Sequence, residues 1–220
     1  MRTIRVTGKG QIRVRPDVIK LTLTLEGTET EYSKTLQRSA EETERLKDIL
    51  GEFGFERTDL KTVGFHVDTV YENYKENNIF KKRFAGYRFR HMVKLEFDLD
   101  HERLGRILYV LANSPIKAEF RIGYTVRDKE AAKNELLGKA VADAEAKAAV
   151  LAKAAGVTLK DIQSVDYSWG EIDLEMRQVG RASLDEERVR GVVPDSGYDL
   201  GIEPDDIEVT DTVTVVWEIQ

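Results

Sequence analysis

The chain has 220 residues, 41% of them hydrophobic, and a formal net charge of −6 at pH 7. It contains no cysteine, which excludes disulfides, thiolate metal sites and a cysteine nucleophile. The negative charge argues against general binding to nucleic acid or to an anionic membrane, and the hydrophobic content predicts a globular protein with a substantial core.

The first predicted elements are strands. Ile4 and Val6 alternate with polar residues before Gly8 and Gly10, and we interpret this glycine pair as a bulge or bend. A half-buried strand is predicted next, over residues 18–26. Its apolar face is formed by Ile19, Leu21, Leu23 and Leu25.

From residue 30 the hydrophobic period changes to steps of three and four, which predicts a helix that ends at Gly54 in a left-handed conformation. The apolar face of this helix is Tyr32, Leu36, Ala40, Thr43, Leu46, Leu50 and Phe53. Two strands that form a hairpin are predicted to follow. They place His66 on a polar face and His91 on an apolar face.

A short helix over residues 100–113, with Asp100 as its N-cap, precedes a predicted strand at 118–126. The order is then β-α-β-β-α-β, which is typical of the ferredoxin-like arrangement. A long alanine-rich helix follows, capped by Asp128. One side of this helix carries a narrow apolar stripe of mostly small residues, which is suited to close packing. The stripe consists of Leu136, Ala140, Val141, Ala144, Ala148 and Leu151.

Two further strands are predicted, over residues 161–169 and 207–220, the second with Asp211 interrupting its apolar row. A helix-to-strand corner recurs: Gly54 to Leu60 resembles Gly156 to Ile162. We therefore predict an α+β fold, with a ferredoxin-like βαββαβ core extended by a further αββ to give two related βαββ halves.

These elements predict one domain over residues 1–220, with halves 1–99 and 115–220 joined by the helix at 100–113. Residues 170–206 show no firm period and are highly charged. Loops longer than roughly 12–15 residues are uncommon in compact domains unless they have a role. We interpret this segment as an interaction arm or a disordered insertion.

The hairpin from Tyr71 to Phe89 interleaves aromatic and basic residues. Rings beside cations can hold single-stranded nucleic acid, but aromatic and arginine side chains are also enriched where subunits meet. The acidic chain favours the second interpretation and a homo-oligomer. The candidate interface residues are Tyr71, Tyr74, Phe80, Arg83, Phe84 and Tyr87.

No catalytic residue can be chosen from the sequence, and no cofactor motif is present. His66, His91 and His101 lack metal-ligand spacing, so no metal site is predicted. The sequence predicts no membrane span and no signal peptide, which points to the cytoplasm as written.

Several stretches in this order resemble the SIMPL domain family, which includes the YggE-like oxidative-stress defence proteins and periplasmic immunogens of bacteria. They are residues 4–10, 14–17, Gly54 with Asp59-Leu60, 86–88, 139–148, 155–157 and 207–210. The resemblance implies an α+β fold, self-assembly and a periplasmic or envelope location if a leader has been removed. It implies no reaction or catalytic residue.

The expected function is therefore that of a non-enzymatic, self-assembling protein linked to stress defence. Two alternatives stay open. One is a hydrolase-like enzyme with a carboxylate pocket near the late loop. The other is a module that binds a ligand or single-stranded nucleic acid through the hairpin at 71–89.

Overall fold

The computed structural model describes residues 2–76, 79–167, 174–175 and 203–220. Helices and antiparallel sheets both contribute, which confirms the predicted α+β class. The chain forms two compact units. One contains residues 18–123, and the other gathers residues 2–17, 124–167, 174–175 and 204–220. The single domain over residues 1–220 and its halves 1–99 and 115–220 stay predictions.

The unit of residues 18–123 is built on a four-stranded sheet with two helices. The elements are β2 (Val18–Glu29), α1 (Tyr32–Gly51), β3 (Lys61–Glu76), β4 (Ile79–Asp98), α2 (His101–Ala112) and β5 (Ala118–Thr125), following β1 (Arg2–Val14) in the chain. The strand order is β3-β4-β2-β5. The element order is the predicted one, and the ferredoxin-like arrangement stays a prediction.

The core of this unit follows the predicted alternation of the strands. Ile19, Leu21 and Leu23 are fully buried on β2, and β4 contributes further apolar side chains from the predicted face, namely Phe89, Val93, Leu95 and Phe97. The predicted hairpin of β3 and β4 is confirmed by their antiparallel pairing.

The buried face of α1 differs from the prediction. Tyr32 and Leu36, predicted on the apolar face, are exposed, whereas Thr35 and Ser39 are buried together with the predicted Thr43. The hydroxyl groups of Thr35 and Thr43 donate to the carbonyl oxygens of residues 31 and 39, at 2.9 and 2.7 Å. Because these polar groups are satisfied within the helix, small hydroxyl residues can be buried at little cost.

Both helix ends that begin the repeated corner contain a left-handed glycine. Gly156 caps the long helix with φ of 68°. Gly54 has φ of 79°, but α1 ends at Gly51, so Gly54 closes the turn after the helix and does not end the helix itself. The prediction of the conformation is confirmed, and the predicted helix end is wrong by three residues.

The other unit packs one long helix on a three-stranded sheet. Its elements are β1, α3 (Lys129–Ala155), β6 (Leu159–Tyr167) and β7 (Ile207–Ile219), with strand order β1-β7-β6. Asp128 accepts a hydrogen bond from the backbone N–H of Ala131, which confirms it as the N-cap. The register of β1 and β7 is regular from Arg2–Ile219 to Val14–Ile207, so Asp211 causes no shift.

The predicted bulge at Gly8 and Gly10 is wrong, because both residues lie within the regular ladder. They are glycines because α3 lies directly over them. A β-carbon on Gly10 would stand 2.2 Å from the carbonyl oxygen of Leu136, closer than real β-carbons approach other atoms.

The packing stripe of α3 runs in steps of four and consists of Ala132, Leu136, Ala140, Ala144, Ala148 and Ala152. The close packing predicted for this helix is therefore confirmed. Leu151, predicted within the stripe, is exposed. A strict four-residue step selects Ala152 instead, because residues four apart lie on the same side of a helix.

Most of the late segment predicted at 170–206 lies outside the described residues. Within the part that is described, Leu174 is buried with Ile12, Val126 and Val209, and its carbonyl oxygen accepts a hydrogen bond of 2.9 Å from the Thr125 hydroxyl. Leu174 thus lies in the core of the unit that contains α3.

Candidate functional site

The candidate site is a two-stranded extension that we call the hairpin arm, residues 70–86. Strand β2 pairs with β4 only as far as Glu29, which lies opposite Tyr87. Beyond that point β4 pairs with β3 alone, from Val70–Gly86 to Glu76–Ile79. Within the described residues, the arm therefore has β3 and β4 but no third strand.

The predicted interface residues divide between the two faces of the arm. Residues opposite one another in a ladder share a face, and faces alternate along each strand. The pairs Tyr71–Phe84 and Lys75–Phe80 lie on one side, which we call the aromatic face. Tyr74 lies on the opposite face.

The opposite face is more polar. Arg83 lies over the ring of Tyr74, with 5.7 Å from its guanidinium carbon to the ring centroid, and forms an ion pair with Glu72. Ile79 shares this face through its pair with residue 76. Sequence reasoning placed Arg83 and Tyr74 in the same interface as the other aromatic residues, and the structure separates them.

A bulge continues the aromatic face into the body of the unit. Ala85 is an extra residue between the Tyr71–Phe84 and Val70–Gly86 pairs. Phe84 and Tyr87 are three residues apart and would face opposite sides of a regular strand, but the bulge places them on the same side. Their rings meet edge to face with centroids 5.1 Å apart.

Four rings form a continuous row on this side of the sheet. Tyr71 contacts Phe84 at 6.0 Å, and Tyr87 contacts Tyr32 at 5.4 Å between centroids. Tyr32 is the first residue of α1, the helix that covers the same side of β4 further along the strand. The aromatic face is therefore the core side of the sheet, continued beyond the helix that covers it.

Much of this surface is open to solvent in the single chain. The exposed fractions are 59% for Tyr71, 76% for Phe80 and 46% for Phe84. Two cations, Lys75 and Lys82, lie among these rings, and the Lys75 ammonium is 5.7 Å from the centroid of Phe80.

The three histidines occupy different environments. His66 is exposed on β3 and His101 is half-buried at the start of α2. His91, predicted on an apolar face, is half-buried, and both of its ring nitrogens are hydrogen-bonded. Among the described residues, no three His, Cys, Asp or Glu side chains converge as metal ligands.

Sequence reasoning missed the residues that surround His91. Its Nδ1 lies 3.0 Å from Thr43 Oγ1 on α1, and its Nε2 lies 2.9 Å from Thr62 Oγ1 on β3. Burial lowers the pKa of His91 below its ordinary value of 6.5, and the positive charge of Lys47 lowers it further. The sequence offered only the polar residue Thr43 within an apolar helix face as a signal.

In the described part of the chain, no helix is both long enough and apolar enough to cross a bilayer.

Comparison with known proteins adds two findings. The family model described as "SIMPL: Protein of unknown function (DUF541)" matches residues 4–217. The "26 kDa periplasmic immunogenic protein" of Brucella melitensis biotype 1 is 27% identical over 157 residues, which make up 71% of this chain and 62% of that relative. The chain thus spans less than two thirds of the relative's length.

Proposed function

Because the chain belongs to the SIMPL family, whose description assigns no function, we propose from its surface that it assembles with further copies of itself through the aromatic face of the hairpin arm. Assembly of this kind needs no chemical reaction. The face would pack against a second copy, which would cover the rings as α1 covers the neighbouring part of β4.

The observation that carries this proposal is the continuity of the aromatic face with the core. Elsewhere in the unit this side of β4 is buried, as at Phe89 and Val93, whereas Phe80 is mostly exposed. Contiguous exposed apolar surface on a soluble protein marks an interaction site. Aromatic side chains are the usual anchors of such contacts.

The charge of the chain supports a second copy as the occupant. Lys75 and Lys82 lie on the aromatic face, while the whole chain carries a net charge of −6. A surface of opposite charge on another copy would attract the arm and orient it.

A second candidate function rests on one contact. The Lys75 ammonium next to the Phe80 ring is a combination that can hold a stacked base and its phosphate. The negative chain opposes this binding, so we rank it below assembly. The carboxylate pocket expected near the late loop falls largely on residues outside those described, and it stays an expectation.

The test is a pair of double variants on the two faces of the arm. Phe80→Ser with Phe84→Ser removes the aromatic anchors, and Tyr74→Ser with Ile79→Ser is the matched control on the opposite face. Light scattering after size exclusion should show a multimer for the wild type and the control, and a smaller species for the first pair. Circular dichroism should be unchanged in all three.

A monomeric wild type, or equal masses for the two double variants, would contradict the assembly proposal. Retention of single-stranded DNA by the wild type, lost steeply as salt rises because phosphate contacts release counterions, would favour the second candidate.

We also propose a periplasmic location and a link to oxidative-stress defence. The location is supported by the name of the Brucella relative, and the stress link by the family resemblance alone. Fractionation of cells that produce the native protein tests the first proposal. Survival of a deletion strain in hydrogen peroxide, with and without the restored gene, tests the second.

A further inference from the structure

Thr62, His91 and Thr43 form a line of hydrogen-bonded side chains that the arm does not involve. The line begins at Thr62, an exposed residue on β3, an edge strand of its sheet. It passes through the two nitrogens of His91 and ends at Thr43, a buried residue of α1. The exposed Thr62 hydroxyl thus contacts an imidazole whose other nitrogen is hydrogen-bonded to the buried Thr43.

A second bulge produces this arrangement. Val63 is an extra residue between the Thr62–Val93 and Gly64–Met92 pairs, and Phe65 lies opposite His91. Thr62 and Phe65 are three residues apart and would face opposite sides of a regular strand. The bulge places both on the side of His91, where Phe65 meets the imidazole edge to face at 5.3 Å. Bulges that redirect a side chain are common next to active sites.

The hydrogen bonds of Thr43 fix the position of the imidazole proton. The Thr43 hydroxyl donates its single hydrogen to the carbonyl oxygen of Ser39 at 2.7 Å. Thr43 Oγ1 must therefore accept from His91, so Nδ1 carries the proton. In neutral His91 the lone pair is then on Nε2, which accepts the hydrogen of the Thr62 hydroxyl.

We propose that Thr62 is a nucleophile that accepts the acyl group of small activated esters, with His91 as its general base and Thr43 as the residue that positions His91. A hydroxyl, a base within hydrogen-bond reach and a third group that orients the base are the defining parts of such a site. This inference is independent of the proposed assembly.

The step balances as follows. Thr62 Oγ1 attacks the carbonyl carbon of the ester and forms a new C–O bond while its proton passes to His91 Nε2. The bond from the carbonyl carbon to the leaving oxygen breaks, and the leaving group departs with the electron pair. His91 then releases the proton to water, which leaves an acyl-threonine.

The surroundings of His91 keep the base neutral. The elements packed around the ring present Lys47 and Thr43 from α1, Thr62 and Phe65 from β3, and Leu25 from β2. Lys47 is the charged member of this set, and it pairs with Glu44 at 2.8 Å. Burial and, to a smaller extent, the neighbouring cation both disfavour the imidazolium form.

The experiment uses p-nitrophenyl acetate and the full chain. We expect a burst of p-nitrophenolate and one acetyl group per chain, located on Thr62 by peptide mass. Thr62→Val and His91→Gln should lower the burst rate by about 100-fold or more, the contribution expected of a general base. Thr62→Ser, unlike Thr62→Val, should keep the burst, because serine retains the hydroxyl.

Thr69→Val is the matched control, since Thr69 is also an exposed threonine of β3, and it should react as the wild type does. The wild-type burst rate should be constant near neutral pH and fall only in acid, as His91 gains its second proton. Acetyl groups found only on lysines, or a burst that Thr62→Val leaves intact, would overturn the proposal. The mapping needs no variant, so a misfolded variant would not prevent this decision.

Discussion

Gly8 of β1 and Ala140 of α3 lie so close together that a β-carbon on Gly8 would stand 2.0 Å from the Ala140 carbonyl oxygen. The helix backbone therefore rests directly on the strand backbone. Such an approach is possible only where a side chain is absent from one partner and small on the other.

Gly8→Ala should destabilise the protein by about 1–3 kcal/mol, because the added carbon forces α3 away from β1. Gly138→Ala is the control. Gly138 lies within α3 with nothing within 4 Å of an added β-carbon, so alanine should stabilise the helix by about 1 kcal/mol. Urea unfolding measures both, and equal midpoints for the two variants would contradict the packing described.

The stability of the wild type should fall as pH drops below the ordinary histidine pKa of 6.5. The pKa of His91 is lowered in the folded state, so between that lowered pKa and 6.5 the unfolded chain binds more protons. The contribution of neutral His91 to stability is fully present above pH 6.5 and is lost as the pH falls through the lowered pKa. His91→Gln should flatten the dependence in this window. Urea midpoints at pH 7.5 and 5.5 provide the comparison.

Asp128→Ala should cost about 1 kcal/mol, because the Asp128 carboxylate accepts a 2.8 Å hydrogen bond from the N–H of Ala131 at the start of α3. Asp128→Asn keeps an accepting oxygen and should retain most of that stability. Thermal unfolding of the two variants separates the cap from general effects of substitution. The cap has no such role if alanine and asparagine give the same midpoint.

Gly86→Ala should both destabilise the protein and disturb the arm. Gly86 has φ of 146°, and a β-carbon there would stand 2.3 Å from the carbonyl oxygen of Glu29. Gly64→Ala, on the partner strand, meets nothing closer than 3.8 Å and serves as the control. We expect a lower urea midpoint for the Gly86 variant alone, together with a smaller assembled mass. If Gly86→Ala unfolds at the same urea concentration as the wild type, the close contact with Glu29 is contradicted.

Local patterns predicted most of the elements. Alternation identified the buried face of β2, and Asp100 and Asp128 were recognised as caps, because these signals depend on neighbouring residues. The predicted face of α1 includes Thr43 but omits Thr35, because hydroxyl residues count as polar in a sequence, whereas the Thr35 hydroxyl is satisfied by the carbonyl oxygen of residue 31.

Long-range contacts could not be predicted in this way. Gly8 and Ala140 are far apart in sequence, so the glycine pair indicated a bend when its cause was a helix packed above it. The candidate site was predicted in composition but not in geometry. An extra residue such as Ala85 or Val63 reverses every later side-chain direction relative to the partner strand, and the sequence does not mark either position.

The absence of a third strand beside the arm, within the residues described, has a consequence for how the protein responds to its own concentration. An isolated two-stranded hairpin is at best marginally stable in water. The backbone amides of Tyr71 and Phe84 should therefore exchange with solvent deuterium quickly in dilute solution and slowly once another surface covers them. Local order in the arm would then depend on the fraction of arms that are covered by another surface. Amide exchange would report that fraction for each residue.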